Sequence, residues 1–284
     1  MNHMNPKITI NLDKLQHNAA EMVKLCKPAG VKLSAVTKGF CAKPQAAAAI
    51  LKGGVTSLAD SRIENLRKFQ PLTAEKILLR IPMISQAEEV VWFSDISMNS
   101  QWETIQALNE AAKHRGVHHG IILMTDLGDL REGIFSEREF YELAKKAGRL
   151  SNVDVKGIGT NLTCFGAIIP DEKNLGQLVT MAEETANILG KPLEFISGGN
   201  SSSIYMLQEG KLPKGINHLR IGEGILLGTE SAYGARIPNM HYDVFQLVAE
   251  VVEVERKPSM PIGTIGKDAF GNIPIFEDKG MRTR

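Results

Sequence analysis

A lysine closes a short run of apolar and small residues, LSAVTK at 33–38. Such a run reads as a buried strand, and an ammonium at its end is costly unless it is paired or loses its charge. Desolvation lowers a lysine from its free pKa of about 10.4, and a neutral amine is a nucleophile toward carbonyls. Taken alone, Lys38 also fits a surface lysine whose stem lies along a strand end. Two glycine-rich loops give it a context. SGGNSSS at 197–203 offers unhindered amides, hydroxyls and a helix start, a geometry that binds oxyanions. RIGEG at 220–224 adds two more glycines after another apolar run. A reactive amine opposite an anion cradle suits an anionic cofactor with a reactive carbonyl.

Eight apolar runs can position these groups: 33–38, 57–60, 77–81, 96–99, 120–125, 155–160, 193–197 and 218–221. Amphipathic stretches at 13–26, 43–52, 63–69, 101–113, 137–149, 175–189 and 202–208 alternate with them. Strand and helix in eightfold alternation predict an α/β fold, a closed (β/α)8 TIM-type barrel with its site at the C-terminal strand ends. No GxGxxG opens a helix after the first strand, which argues against an open doubly wound sheet. The strand ends gather Lys38, Asp60, Arg62, Arg80, Asn99, Arg131, Thr160, Asn161, the 197–201 loop, Arg220 and Glu223. Carboxylates are few there, so paired-acid glycoside chemistry is not expected. The last two strands are the usual phosphate-binding quarter of such a barrel.

The bulk numbers agree with one large barrel and part of a second domain. The chain has 284 residues, 43% hydrophobic and 23% charged, with a net charge of +1. That balance carries no basic footprint for nucleic acid. No stretch approaches the roughly 20 apolar residues of a membrane span, and MNHMNP at the start has no apolar core of a signal peptide. Cys26, Cys41 and Cys164 are too widely spaced for a disulfide framework or a cysteine zinc site. A reducing cytoplasm is the expected home. Cys26 and Cys41 read as small buried hydrophobes. His118 and His119 point to opposite faces of a strand, so no metal site is expected. After 228 the texture changes. Residues 245–254 read as a strand, 257–261 as a turn, and 263–284 are rich in glycine and charge. The expected organisation is a barrel over 1–235 and the start of an incomplete β-rich domain over 236–284.

On these residues the chain resembles the alanine racemase-like family of pyridoxal-phosphate enzymes, and within it the ornithine racemase branch. The resemblance runs from residue 8 to at least 230. It rests on AVTK (35–38), ADSRIEN (59–65), GIGTNLTC (157–164), SGGNSSS (197–203) and LRIG (219–222). It implies that Lys38 holds pyridoxal 5'-phosphate covalently and moves the α-proton on one face. Arg131, in TDLGDLR (125–131), matches an arginine at the ring's phenolic oxygen, and Asn161 a residue packed against the pyridine ring. Asn200 is carried over as cofactor-binding, while Ser201 and the backbone at Gly222 and Glu223 match the phosphate cradle. Arg220 matches the arginine facing the pyridine nitrogen. An arginine cannot accept a proton, so that nitrogen stays unprotonated and the carbanion less delocalised, which favours reprotonation at Cα. Glu223 is expected on a loop with its side chain turned elsewhere. Cys164 follows the sixth strand and is a further candidate for direct contact.

Two departures argue against alanine as substrate: FCA at 40–42 lacks the family's phosphate-holding tyrosine, and Met124 stands where the family has a lysine. The resemblance therefore implies an isomerase, a racemase of ornithine or another basic amino acid. It also implies a homodimer in which a β domain closes the neighbouring site. A bare-barrel, non-catalytic pyridoxal-phosphate carrier is the alternative, and the 245–254 strand favours the racemase. A metal-assisted lyase on this fold needs a His/Cys pair after His241, where none stands. In alanine racemases a tyrosine of the partner's β domain serves the second face. Here only Tyr233 and Tyr242 lie beyond the barrel strands, so inversion is expected to be poor unless Cys164 or water substitutes.

Overall fold

The computed structural model describes residues 6–284. The elements run β1 (Lys7–Ile10), α1 (Leu12–Cys26), β2 (Lys32–Val36), α2 (Pro44–Lys52), β3 (Ser57–Asp60), α3 (Ile63–Arg67), β4 (Glu75–Leu78), α4 (Ala87–Phe93), β5 (Ile96–Asn99), α5 (Trp102–Arg115) and β6 (His119–Met124). They continue with α6 (Glu137–Ala147), β7 (Val153–Gly159), α7 (Glu172–Leu189), β8 (Phe195–Ser197), α8 (Ile204–Gln208), β9 (His218–Ile221), α9 (Glu223–Leu227), β10 (Phe245–Val248), β11 (Arg256–Pro258) and β12 (Met281–Thr283). Local chemistry sets the long helices. Asn11 caps α1 by accepting from the Lys14 amide at 3.0 Å. Asp171 and Asn174 form a reciprocal capping box on α7. No helix among the described residues is long and apolar enough to cross a membrane.

Strands β2 to β9 close into a parallel barrel, and β9 returns to β2 with Lys32 opposite His218 and Ser34 opposite Arg220. Period-two alternation divides each strand between two cores. Leu33, Ala35, Leu58, Ile121, Leu123, Leu219 and Ile221 face the helix shell. Val36, Ala59, Ile77, Ile96, Met98, Ile122, Met124 and Phe195 form a separate cluster inside the barrel. Polar residues also face the interior: Ser34, Ser57, Ser197, His218 and Arg220, all buried. The interior is thus apolar along β4 to β6, whereas β2, β3 and β8 each add both apolar and polar residues and β9 adds His218 and Arg220. Gly157 is required where β7 meets β8, because a Cβ there would lie 2.0 Å from the Phe195 carbonyl oxygen.

Several boundaries differ from expectation. β2 stops at Val36, so Lys38 opens a 3-10 turn, Lys38–Phe40, instead of ending the strand. Glu223 is the first residue of α9 and not part of a loop. The strand expected over 245–254 ends at Val248, and the expected turn at 257–261 begins inside β11. Cys41 is exposed, whereas Cys26 is buried, and burial pushes the Cys26 thiol up to about 12. Ile10–Phe245 forms one compact unit, which extends past the expected limit at 235. The reason is packing: Ile237, Met240 and Val244 join the shell core, and buried Asn18 bonds both the amide and the carbonyl of His241. The second unit joins β1 through Thr9 to Gln246–Arg284. In it β1 pairs with β10, and β11 pairs antiparallel with β12, Lys257 opposite Arg282.

Two predictions follow from the interior. Gly157→Ala forces β7 from β8 and should destabilise the chain by about 1–3 kcal/mol or more, read from urea unfolding. Burial holds His119 down to about 4 and His218 down to about 3. Both imidazoles take up protons only on unfolding at mildly acid pH, so stability is full above about 6.5 and falls as pH drops. Each should remove about 1.4 kcal/mol per pH unit between about 6 and 4. Unfolding free energy that stays flat from pH 7 to 4 would contradict this assignment.

Candidate active site

Lys38 is placed by its neighbour. Thr37 donates through Oγ1 to Asp60 Oδ2 at 2.6 Å. Asp60 is fully buried at the end of β3, and its Oδ1 accepts from the Arg62 amide and from Asn65 Nδ2, both at 3.0 Å. This clamp fixes the chain one residue before the lysine. The expected desolvation of Lys38 is corrected, because its side chain is exposed. None of the ion pairs among the described residues involves it. The amine is therefore open to a covalent partner.

At the C-terminal strand ends lies a cavity of about 720 Å³, a size suited to a small organic ligand. Lys38, Arg131, Asn161, Cys164, Asn200, Ser201, Arg220, Gly222 and Glu223 all line it. These are the nine residues given contact roles by the resemblance, and Arg80 joins them, whereas the strand-end residues Asp60, Arg62, Asn99 and Thr160 do not line the cavity. Arg220 is buried at the wall, with Nη2 donating to the Thr160 carbonyl at 2.7 Å and Nη1 to Ser197 Oγ. Burial lowers its pKa to about 10, so it stays charged at neutral pH. Ser201 Oγ accepts from the Gly224 amide at 3.2 Å, which leaves its own proton to donate. Gly199 sits at φ +107, a conformation that side chains rarely adopt, and its carbonyl accepts from the Arg220 amide at 3.1 Å.

Asn200 spends its side chain on the loops. Its Oδ1 accepts from the Ser202 amide at 2.8 Å, and its Nδ2 donates to Asn161 Oδ1 at 3.0 Å and the Leu162 carbonyl at 2.9 Å. Cys164 Sγ lies 3.5 Å from the same nitrogen. Asn161 Nδ2 is buried without a hydrogen-bond partner on the cavity wall, a cost that a ligand atom would remove. The Glu223 carboxylate accepts from the Thr229 hydroxyl at 2.9 Å.

Three contributors were missed from the sequence. Glu132 lines the cavity and pairs with Arg131 Nε at 2.8 Å, leaving the terminal nitrogens of Arg131 free. Burial raises the Glu132 pKa, against the pull of Arg131 and Arg220. Its adjacency to Arg131 was the available signal. Asp129 is fully buried and accepts from the amides of Phe165, Gly166 and Ile168 at 2.9, 3.1 and 3.2 Å. It thereby shapes the loop that carries Cys164. His218 stands behind Ser197, at 2.8 Å from its hydroxyl. Among the described residues, no group of three His, Cys, Asp or Glu is arranged to hold a metal ion.

The family described as alanine racemase, N-terminal domain, matches residues 10–230. An ornithine racemase of Acetoanaerobium sticklandii is 49% identical over 281 residues, covering 99% of this chain and 80% of that protein. A lysine racemase of Thermotoga maritima is 36% identical over 281 residues, covering 98% of this chain and 78% of that protein. Among solved structures, an alanine racemase from Streptomyces lavendulae superposes with a TM-score of 0.73 at 17% identity, covering 100% of this chain and 73% of that one. A D-threo-3-hydroxyaspartate dehydratase from Delftia gives 0.62 at 18%, covering 79% of this chain and 62% of that one. At such identities the structural likeness speaks for the fold alone. The match over the barrel and the two racemase relatives establish that this chain belongs to the alanine racemase family.

Proposed function

We propose that the chain is a pyridoxal-phosphate-dependent racemase of ornithine or another basic amino acid. One observation carries the reading: the free amine of Lys38, the Ser201 hydroxyl and the buried Arg220 converge on a single cavity. The residues present fit the cofactor. Lys38 would hold its aldehyde carbon, and Ser201 Oγ, already an acceptor, has a proton for a phosphate oxygen. The orphaned Asn161 Nδ2 would find a partner or a ring face there. Arg131, held through Nε by Glu132, keeps its other donors for the phenolic oxygen. When bound, pyridoxal phosphate supplies an electron-withdrawing ring joined to the substrate nitrogen, which acidifies Cα. Arg220 offers only donors toward that ring and accepts no proton. Lys38 Nζ, on the cavity wall, would take or return the α-proton on one face.

The substrate class rests on the two relatives named for ornithine and lysine. It is supported by Glu132 and Glu223, two carboxylates on the cavity wall for a second substrate ammonium. We read the chain as a homodimer in the cytoplasm. Leu130, Phe135 and Phe165, exposed on loops after β6 and β7, favour a second copy, and three free thiols favour a reducing compartment. We read residues 246–284 as a second, β-rich unit.

Borohydride treatment of the purified protein should fix the cofactor on Lys38, located by mass spectrometry. An adduct on another lysine overturns the site. A chiral assay across an amino-acid panel should then show interconversion of the ornithine or lysine enantiomers, faster than that of alanine. Ser201→Ala removes one charge-assisted hydrogen bond and should weaken cofactor binding by about tenfold to a hundredfold. An unchanged dissociation constant removes Ser201 from the cradle.

A further inference from the structure

Behind Arg220 a line of hydrogen bonds crosses the polar side of the barrel. Arg220 Nη1 meets Ser197 Oγ, which lies 2.8 Å from His218 Nδ1. His218 Nε2 lies 2.7 Å from Ser34 Oγ, and Ser34 Oγ 2.6 Å from Ser57 Oγ, which reaches the Leu33 carbonyl at 3.3 Å. A guanidinium can only donate, so Ser197 accepts from Arg220 and must place its own proton on His218 Nδ1. That makes Nδ1 the acceptor and puts the imidazole proton on Nε2. Ser34 then accepts from His218 and donates to Ser57, and Ser57 donates to the Leu33 carbonyl. The opposite order would leave the buried Ser197 proton without an acceptor. The line ends on a carbonyl with no proton to return, so it orients and does not conduct.

We propose that His218, as its Nε2–H tautomer, is a positioning residue for the reaction. Acting through Ser197, it holds the Arg220 guanidinium so that the remaining N–H groups face the cavity. The proposal rests on the reading that Arg220 faces the cofactor's ring nitrogen. The surroundings suit this role: the imidazole is fully buried, with the Phe195 ring edge-on at 5.0 Å. Burial first, then Arg220 and Lys32, keep it neutral. Removing the imidazole frees Ser197 to rotate and to turn its hydroxyl away. Arg220 then keeps its charge but loses one of its two fixed acceptors.

The tautomer is read directly from nitrogen NMR of the full chain labelled with 15N-histidine, with and without cofactor. Nδ1 should be an unprotonated acceptor and Nε2 protonated throughout the neutral range. An Nδ1–H imidazole would overturn the relay whatever the cofactor does. In protein loaded with cofactor, His218→Leu should lower kcat about tenfold to a hundredfold, with KM and the cofactor dissociation constant changed by no more than about threefold. The visible band of the bound cofactor should shift as the ring nitrogen loses its fixed donor. His218→Asn, which keeps an acceptor beside Ser197, should recover most of the rate. Ser197→Ala should reproduce the loss without removing the imidazole, and it carries the test if His218→Leu does not fold. The double variant should lose no more than either single variant. Additive losses, or a band unchanged in all variants, would overturn the proposal. Failure of Lys38 to take cofactor would instead sink the proposed function, a result separate from the tautomer.

Discussion

The structure depends on keeping one guanidinium charged inside a barrel. A buried cation is tolerated only when its donors are met and nothing better solvates it. Arg220 meets that condition with no carboxylate in direct contact, using a backbone carbonyl and a serine hydroxyl. The polar residues of the interior can be read as the consequence. Ser197 needs an acceptor, His218 supplies one and needs an acceptor in turn, and Ser34 and Ser57 pass the demand to the Leu33 carbonyl. The apolar cluster, Ile77, Ile96, Met98, Ile122 and Met124 with Val36, Ala59 and Phe195, makes no such demand and packs as an ordinary barrel core. One charge thus accounts for a polar interior position on each of β2, β3 and β8 and for His218 on β9.

The loops above the barrel use a second device. Asp60, Asp129 and Glu230 are buried carboxylates. Asp129 and Glu230 are satisfied by backbone amides of loops at strand ends, and Asp60 by one backbone amide together with the Thr37 hydroxyl and the Asn65 side-chain amide. Asp60 holds the turn into α3 and the residue before Lys38. Asp129 holds the loop of Cys164. Glu230 accepts from the amides of Ala232, Tyr233 and Ala235 at 2.7, 3.0 and 2.8 Å, and so shapes the turn that brings Ser231 to the cavity. Charged acceptors make hydrogen bonds roughly twice as strong as neutral ones. Short loops without regular structure can then be held to the tolerance that a reacting site requires.

Much of this was legible in the sequence, and the reasons are specific. The eight strands show because parallel strands buried on both faces read as apolar runs, and 57–60, 96–99 and 218–221 fall on β3, β5 and β9 without adjustment. The nine site residues were found from strand ends and from motif resemblance, and the cavity gathers all of them. What stayed hidden is what periodicity does not encode. The burial of a lysine depends on where a strand stops, and β2 stops two residues before Lys38. The partners of Arg220 lie on other strands, and only barrel closure in register sets Ser34 beside it. His218 looked like one polar letter in a strand. Its meaning came from Ser197, twenty-one residues earlier and one strand over.

The same accounting bears on why a basic amino acid suits this site. The cavity is lined by four cations, Lys38, Arg80, Arg131 and Arg220, and two carboxylates, Glu132 and Glu223, a formal balance of 4 − 2 = +2. On the proposed reading Lys38 gives up its charge in holding the cofactor, which leaves +1. A phosphate group brings about −1.5 to −2 at neutral pH, so the loaded site becomes net negative. With its α-nitrogen joined to the ring, a substrate that adds only its α-carboxylate would deepen that deficit, whereas a side-chain ammonium would offset it. Met124, at the position where the resemblance expects a lysine, is buried and apolar, and so adds no cation there. Arg131 is balanced by Glu132 at 2.8 Å, on a half-buried carboxylate whose raised pKa records the cost of holding it there. On the proposed reading, a preference for a basic side chain would be a property of the whole cavity's charge, set as much by the lysine that is absent as by the carboxylates that are present.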